Sequence, residues 1–351
     1  MAASETRPPH SVFLRHREGE PAPGENGRRR ALIYFICGNP GLIEFYEGFL
    51  AHLRELISSS ASMGRVEVDL YGRSLVGFDD DDHAPPFSAP DNEPVDLEGQ
   101  IRSVYESVAG VVADEAKRSG GKGYGDVILM GHSVGAYIAT EVMHRHLAEQ
   151  QPAGWARHAR LRHGFLLFPT LTHIAASPSG RRMQLLRAVP LMDSYFHLLA
   201  RGLLGVIPEA AVRWLVGRVV GARDGRVVRA LARWLKSRDG VWQAVHLGKS
   251  EMETIREEVW EERLWGMAAE GEGGSSGAAP RFFILYGKED HWVANHLRDE
   301  FIARRRKDGG ETRIEVDEGD LPHAFCLKEE DFKQVAETVL EWLEEIEDGR
   351  S

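Results

Sequence analysis

The pentapeptide Gly131-His132-Ser133-Val134-Gly135 restricts this chain more than any other feature. An unbroken apolar run, Asp126 to Gly131 (DVILMG), leads straight into it, and helical periodicity begins at Val134. Strand, G-x-S-x-G and helix without a gap make a nucleophile elbow, where a sharp turn lifts the serine hydroxyl out at the carboxyl end of a sheet. The two glycines flank the serine for steric reasons, because side chains two residues to either side would collide with the neighbouring chain. A lone G-x-S-x-G is common, and it is the context that sets this one above a structural turn.

Such an elbow needs a mostly parallel sheet covered by helices, and the chain is patterned for one. Short apolar runs at Ala31 to Cys37 (ALIYFIC), Arg65 to Tyr71, Asp126 to Gly131, His163 to Phe168 (HGFLLF), Arg281 to Tyr286 (RFFILY) and Thr312 to Val316 read as six strands. Helical patterns at Leu42 to Leu56, Leu97 to Lys117, from Val134 onward, and at Glu330 to Ile346 alternate with them. The class is α/β. At 351 residues, 42% apolar and 28% charged, the chain fits one core with an insertion better than two independent domains. Residues 1–30, rich in Pro, Gly, Glu and Arg, are expected to form a disordered arm with no apolar segment of a secretory signal. The core is expected over 31–170 and 281–351, with a flexible Gly/Ser loop at 268–280.

The interval 171–267 breaks the alternation, holding only helical patterns, and reads as an inserted helical cap. Within Arg181 to Lys236 eleven Lys or Arg stand against three acids, a local +8 in a chain whose formal charge is −11. The same interval is dense in Leu, Val, Trp and Phe. Basic plus apolar at helical spacing suggests a surface that sits at an interface. The plainer reading, a cap whose apolar face covers the site while its arginines are merely solvated, stands beside it. His163 to Gly180 carries two prolines and several polar groups and fails as a membrane span. The net acidity argues against a general nucleic-acid binder.

A serine at its free pKa is a poor nucleophile, so a base and an orienting acid must follow it in the order Ser, acid, His. RFFILY runs into Gly287-Lys288-Glu289-Asp290-His291, which places Asp290 on a loop at the serine's edge of the sheet. Glu289 and His291 are its neighbours and rivals. No acid follows HGFLLF within PTLTHIAA. The last strand leads through Asp317 to Asp320 into Leu321-Pro322-His323, which makes His323 the general base. Two N–H groups are needed for the oxyanion. Val134, just after the nucleophile, supplies one. In the first-strand loop CGNPG, Pro40 has no N–H and Gly38 lies at the strand end, leaving Asn39, although the same run also serves as a turn.

Other features take the plain reading. Asp79 to Asp82 with His83 reads as a solvated loop, since four consecutive side chains cannot converge on one ion unaided. No metal and no cofactor is assigned, and His132 is given no role. Cys37 and Cys326, the only cysteines, suit neither a disulfide framework nor a zinc site and read as reduced, buried thiols on the cytosolic side.

FICGNPGLIEFYEGFL, DLEGQI at Asp96 to Ile101, GHSVGAYIA, LFPTLTHIAASPSGRR at Leu167 to Arg182, YGKEDHW and LPHAF together resemble the lipid-droplet-associated hydrolase family of α/β-hydrolases. GNPG, and LFPT continuing into SPSG, are far more specific than the elbow. On that resemblance Ser133 falls on the family's nucleophile, Asp290 on its acid and His323 on its base. The resemblance also implies residence on lipid droplets and endoplasmic reticulum at the cytosolic face, and ester hydrolysis with cholesteryl esters among the substrates. The chain departs from the pattern in its Arg-rich arm, its Gly/Ser loop and its cap. The expectation is a serine hydrolase of lipid esters docked through the cap. A droplet-bound scaffold or lipid-binding protein with little turnover is the competing class, and amide or thioester cleavage on the same residues is a third reading.

Overall fold

The computed structural model of the chain describes residues 10–16, 28–83, 85–90, 92–148, 159–189, 192–221, 225–265, 280–307 and 312–349. Apolar runs too short for helices build the middle of the sheet. β1 (Ser11–Leu14) and β2 (Arg29–Ile36) precede α1 (Glu47–Ser59); β3 (Val66–Arg73) precedes α2 (Leu97–Arg118). β4 (Asp126–His132) passes directly into α3 (Val134–Ala148), followed by β5 (Arg160–Leu167). Five helices come next: α4 (Pro178–Arg187), α5 (Met192–Val206), α6 (Glu209–Val220), α7 (Gly225–Leu235) and α8 (Gly240–Thr254). β6 (Arg281–Gly287), α9 (Asn295–Lys307), β7 (Arg313–Asp317) and α10 (Glu329–Asp348) complete the fold.

The strands pair in the order β1-β3-β2-β4-β5-β6-β7, and only β1 runs antiparallel to its neighbour. β4 is buried along its whole length, as a strand covered on both faces by helices must be. The order reverses between β2 and β4, so the loops after those two strands open a crevice at the carboxyl edge, the place where open α/β sheets hold their sites.

Two expectations are corrected here. The stretch read as a disordered arm contains β1, and its last two residues begin β2, so among the described residues the sheet has seven strands where six were expected. A four-residue strand among Pro, Gly and Arg carries too little pattern to register in sequence. It forms because it covers the open edge of β3: Phe13 meets Tyr71 edge to face, and Arg15 reaches the buried Glu115. The remainder of that arm, 1–9 and 17–27, and the Gly/Ser loop up to residue 279 lie outside the described residues. Second, the Asp79 to His83 loop is not simply solvated. His83 bridges the buried Asp82 (2.7 Å) and Asp239 (3.1 Å), and Asp80 accepts the backbone N–H groups of Arg238 and Asp239. The run therefore ties the β3–α2 connection to the start of α8, a partnership invisible in sequence because Asp239 lies far along the chain.

Among the described residues, the interval between β5 and β6 holds helices joined by loops and no strand. α6 and α7 share a small core of their own around Val212, Val216 and Ala232. Outside it, α4 to α6 leave large apolar side chains in solvent, with Leu185, Val206 and Val219 each more than 70% exposed and Leu203, Trp214 and Leu215 more than half exposed. Its basic residues are not a uniform free patch: Arg187 pairs with Glu253, Arg233 with Glu44, and Lys236 caps the carbonyls of Leu204 and Ile207. Among the described residues no helix is long and apolar enough to cross a membrane.

Candidate active site

Ser133 sits between β4 and α3 with φ +55°, the left-handed region that a side chain enters only when the surroundings enforce it. Its N–H donates to the Leu167 carbonyl (3.0 Å), and its own carbonyl accepts from Ala136 (3.0 Å). Both flanking glycines are required. A Cβ at Gly131 would lie 2.2 Å from the Gly135 carbonyl oxygen, and one at Gly135 would lie 2.3 Å from that of Ile36. Strand, turn and helix are pressed together until only hydrogen fits, and that pressure presents the hydroxyl at the carboxyl edge.

The loop after β7 brings His323 above the serine, and the loop after β6 brings Asp290 behind it. His323 Nε2 lies 2.9 Å from Ser133 Oγ, and His323 Nδ1 lies 2.5 Å from Asp290 Oδ2. All three side chains are buried. Glu289 next door is exposed, as is His291. Burial by itself would push the Asp290 carboxyl up; the charge and hydrogen bond of His323 and the Trp292 N–H on Oδ1 (2.8 Å) outweigh it and hold the pKa below the ordinary carboxylate value. The carboxylate is thus ionised and aimed at the ring nitrogen that does not face the serine.

A cavity of about 470 Å³ opens onto Ser133 and His323. Its walls come from the core (Asn39, Pro40, Ile174, Trp292) and from the helical insertion (Met183, Leu204, Trp234, Val241, Met252 among them). They are mostly apolar, so the cavity suits a hydrophobic group rather than a charged one. No group of His, Cys, Asp or Glu suited to a metal ion occurs among the described residues. Cys37 and Cys326 are both free and buried.

The loop after β2 carries Asn39 into the cavity wall. The neighbouring Gly38 N–H is already used, donating to the Tyr46 hydroxyl at 3.1 Å. Val134 is the first residue of α3, whose N–H has no carbonyl partner within the helix. Two residues near the site had no signal in sequence. Glu251 on α8 is buried in the cavity wall and accepts from the Asn39 side-chain amide (3.0 Å), which also donates to the Ala244 carbonyl (3.0 Å). Burial raises the Glu251 pKa to about 7, with the Asn39 hydrogen bond opposing. Tyr46, on the turn before α1, contacts His132, the elbow residue left without a role. Apolar-run and motif reading cannot find either, because their partners are more than 80 residues away.

The profile of the family described as lipid-droplet associated hydrolase matches residues 29–326. The chain is 27% identical to the lipid droplet-associated hydrolase of Mus musculus over 325 residues, covering 90% of this chain and 85% of the mouse protein. It is 22% identical to that of Gallus gallus, covering 90% and 85%. Among solved structures it resembles the peroxisomal alpha-beta-hydrolase Lpx1 of Saccharomyces cerevisiae, with TM-score 0.56, 12% identity and coverage of 96% of this chain and 88% of the yeast one. It also resembles a laboratory-evolved variant of potato epoxide hydrolase, with TM-score 0.53, 12% identity and coverage of 96% and 95%. At such identities the structural likeness speaks for the fold, and the profile spanning β2 to the loop after β7 speaks for the family. Sheet order, elbow and sequence match therefore agree: the chain belongs to the lipid-droplet associated hydrolase family and is a hydrolase built on the α/β-hydrolase fold.

Proposed function

We propose that this chain is a serine ester hydrolase acting on lipid esters, cholesteryl or other acyl esters, at the cytosolic face of lipid droplets and endoplasmic reticulum. The observation that carries the reading is the continuous hydrogen-bonded series Ser133–His323–Asp290 at the mouth of an apolar cavity. His323 Nε2 takes the Ser133 proton as Oγ attacks the ester carbonyl carbon, while ionised Asp290 holds the ring tautomer and stabilises the imidazolium. The N–H groups of Val134 and Asn39 receive the oxyanion. The imidazolium then gives its proton to the departing alcohol, and a water activated by the same ring releases the acyl group from Ser133.

Docking is assigned to the exposed apolar side chains of α4 to α6, with the positive charge around them drawing the protein to anionic phospholipid. That outward face also favours a second reading, surface binding with little turnover, since it does not depend on Ser133. Labelling by a fluorophosphonate probe, followed by hydrolysis of short and long acyl esters, separates the two. Labelling and turnover lost together in Ser133→Ala and His323→Ala are the expected result. A folded wild-type chain that neither labels nor turns over any ester would refute the hydrolytic reading and leave surface binding in its place.

A further inference from the structure

His132, the second residue of the elbow, is buried, and both its ring nitrogens are engaged. Nε2 lies 2.8 Å from the His323 carbonyl oxygen, which can only accept, so the hydrogen between them sits on Nε2. Burial, reinforced by the neighbouring His323, pushes the His132 pKa down to about 3, so near neutrality Nδ1 carries no hydrogen and accepts. The Tyr46 hydroxyl, 2.7 Å away, must donate to Nδ1, which leaves its oxygen to accept the Gly38 N–H at 3.1 Å. Burial also keeps the phenol protonated, its pKa well above the usual value. Each hydrogen bond in the series therefore has one allowed direction: Gly38 N–H to Tyr46, Tyr46 O–H to His132, His132 Nε2–H to His323.

The series spans Ser133 from one side to the other. At one end is the residue preceding Asn39; at the other is the backbone of His323. The packing leaves no slack, since a Cβ on Gly38 would lie 2.9 Å from His132 Nδ1 and 3.2 Å from Ser133 Cβ. We propose, resting on the reading of Ser133 as nucleophile and His323 as base, that His132 and Tyr46 are positioning residues which hold the Gly38–Asn39 turn and the His323 backbone at fixed places across Ser133. Neither side chain lines the cavity. An uncharged His132 also matters electrostatically. The ring centroids of His132 and His323 are 5.0 Å apart, so a cation at 132 would oppose the imidazolium that forms when His323 takes the Ser133 proton.

Nitrogen-15 spectra of the wild-type histidines, with His132→Gln assigning the resonance, test the directions. His132 should carry its hydrogen on Nε2, with Nδ1 bare, from about pH 5 to 8. A hydrogen on Nδ1, or a titration of His132 inside that range, overturns the proposal whatever any variant does. Tyr46→Phe removes one hydroxyl and little volume. It should lower kcat and the fluorophosphonate labelling rate by about tenfold to a hundredfold with KM within about twofold, because a displaced group costs rate rather than binding. It should also shift the His132 Nδ1 resonance. His132→Gln, which can still donate towards the His323 carbonyl, should keep more activity than His132→Ala. Rates for folded Tyr46→Phe within about twofold of wild type overturn the positioning role. A folded wild type that does not label at all overturns the nucleophile assignment instead, and the positioning role falls with it.

Discussion

The surroundings of Ser133 and the outer face of α4 to α6 are opposites in construction. Around the serine, Oγ, both nitrogens of His323 and of His132, and the Tyr46 hydroxyl all have partners, and the elbow glycines leave no room for a methyl group. On the outer face, Val206 is 81% and Val219 77% exposed, over a small core of three buried residues. Burying one such side chain is worth roughly 1.5–3 kcal/mol, which this face forgoes in water. The inner region's polar groups are partnered within the fold, whereas the outer region is suited to contact with something less polar than water. The enclosed site and the exposed apolar face thus lie in different parts of the chain, and between them Glu251 reaches from α8 to Asn39 on the core loop.

The sharpest way to break this comparison is at its inner side. Ser133→Ala should lower ester hydrolysis by about a millionfold and abolish probe labelling in the same preparation; residual labelling would place the nucleophile elsewhere. Asp290→Asn should cost about ten-thousandfold in kcat, because the amide favours the wrong histidine tautomer. Glu289→Gln, an exposed neighbour, should change kcat less than twofold or so, and equal losses in the two would undo the choice between them.

On the outer side, Val206, Trp214 and Val219 changed together to Ser should weaken partition of the full chain onto phospholipid-coated triolein droplets by about a thousandfold, from three side chains no longer buried there. Hydrolysis of a short, soluble ester should be unaffected, since none of the three lines the cavity. Partition equal to wild type would deny the face any docking role.

The smallest effect concerns the junction. With its pKa raised from 4.5 to about 7, folded Glu251 keeps a proton that the unfolded chain has released. Its contribution therefore makes stability fall as pH rises from about 4.5 to about 7 and then level off. Glu251→Gln removes that dependence while still accepting from Asn39, and should stabilise the chain at pH 8 by at most about 3 kcal/mol, with little change at pH 5. Denaturant unfolding at the two pH values measures it; no difference between wild type and variant at pH 8 would mean that folding does not raise the carboxyl's pKa.

Much of this molecule was legible in one dimension. β4, the elbow and α3 are contiguous, so Ser133 and Val134 announce themselves through local pattern, and the strand-to-loop junctions before Asp290 and His323 follow from the same alternation. Asp290 could not be told from Glu289 that way, because adjacent residues share every local signal; one is buried against His323 and the other is in solvent. β1 leaves no signal in sequence because four residues at a sheet edge are held by the strand they pair with rather than by their own periodicity. The Asp79 to His83 run reads as solvated loop in sequence because its partner Asp239 is 156 residues from His83.

The amino-acid sequence alone thus determined the α/β class, the elbow and the order in which serine, acid and histidine arrive, all of which depend on neighbours along the chain. Only the tertiary structure decided which acid meets His323, that His132 points back into the protein through Tyr46, and that Glu251 meets Asn39 in the cavity wall. Those choices depend on burial and hydrogen-bond direction between segments far apart in sequence. Burial also sets whether each such group is charged.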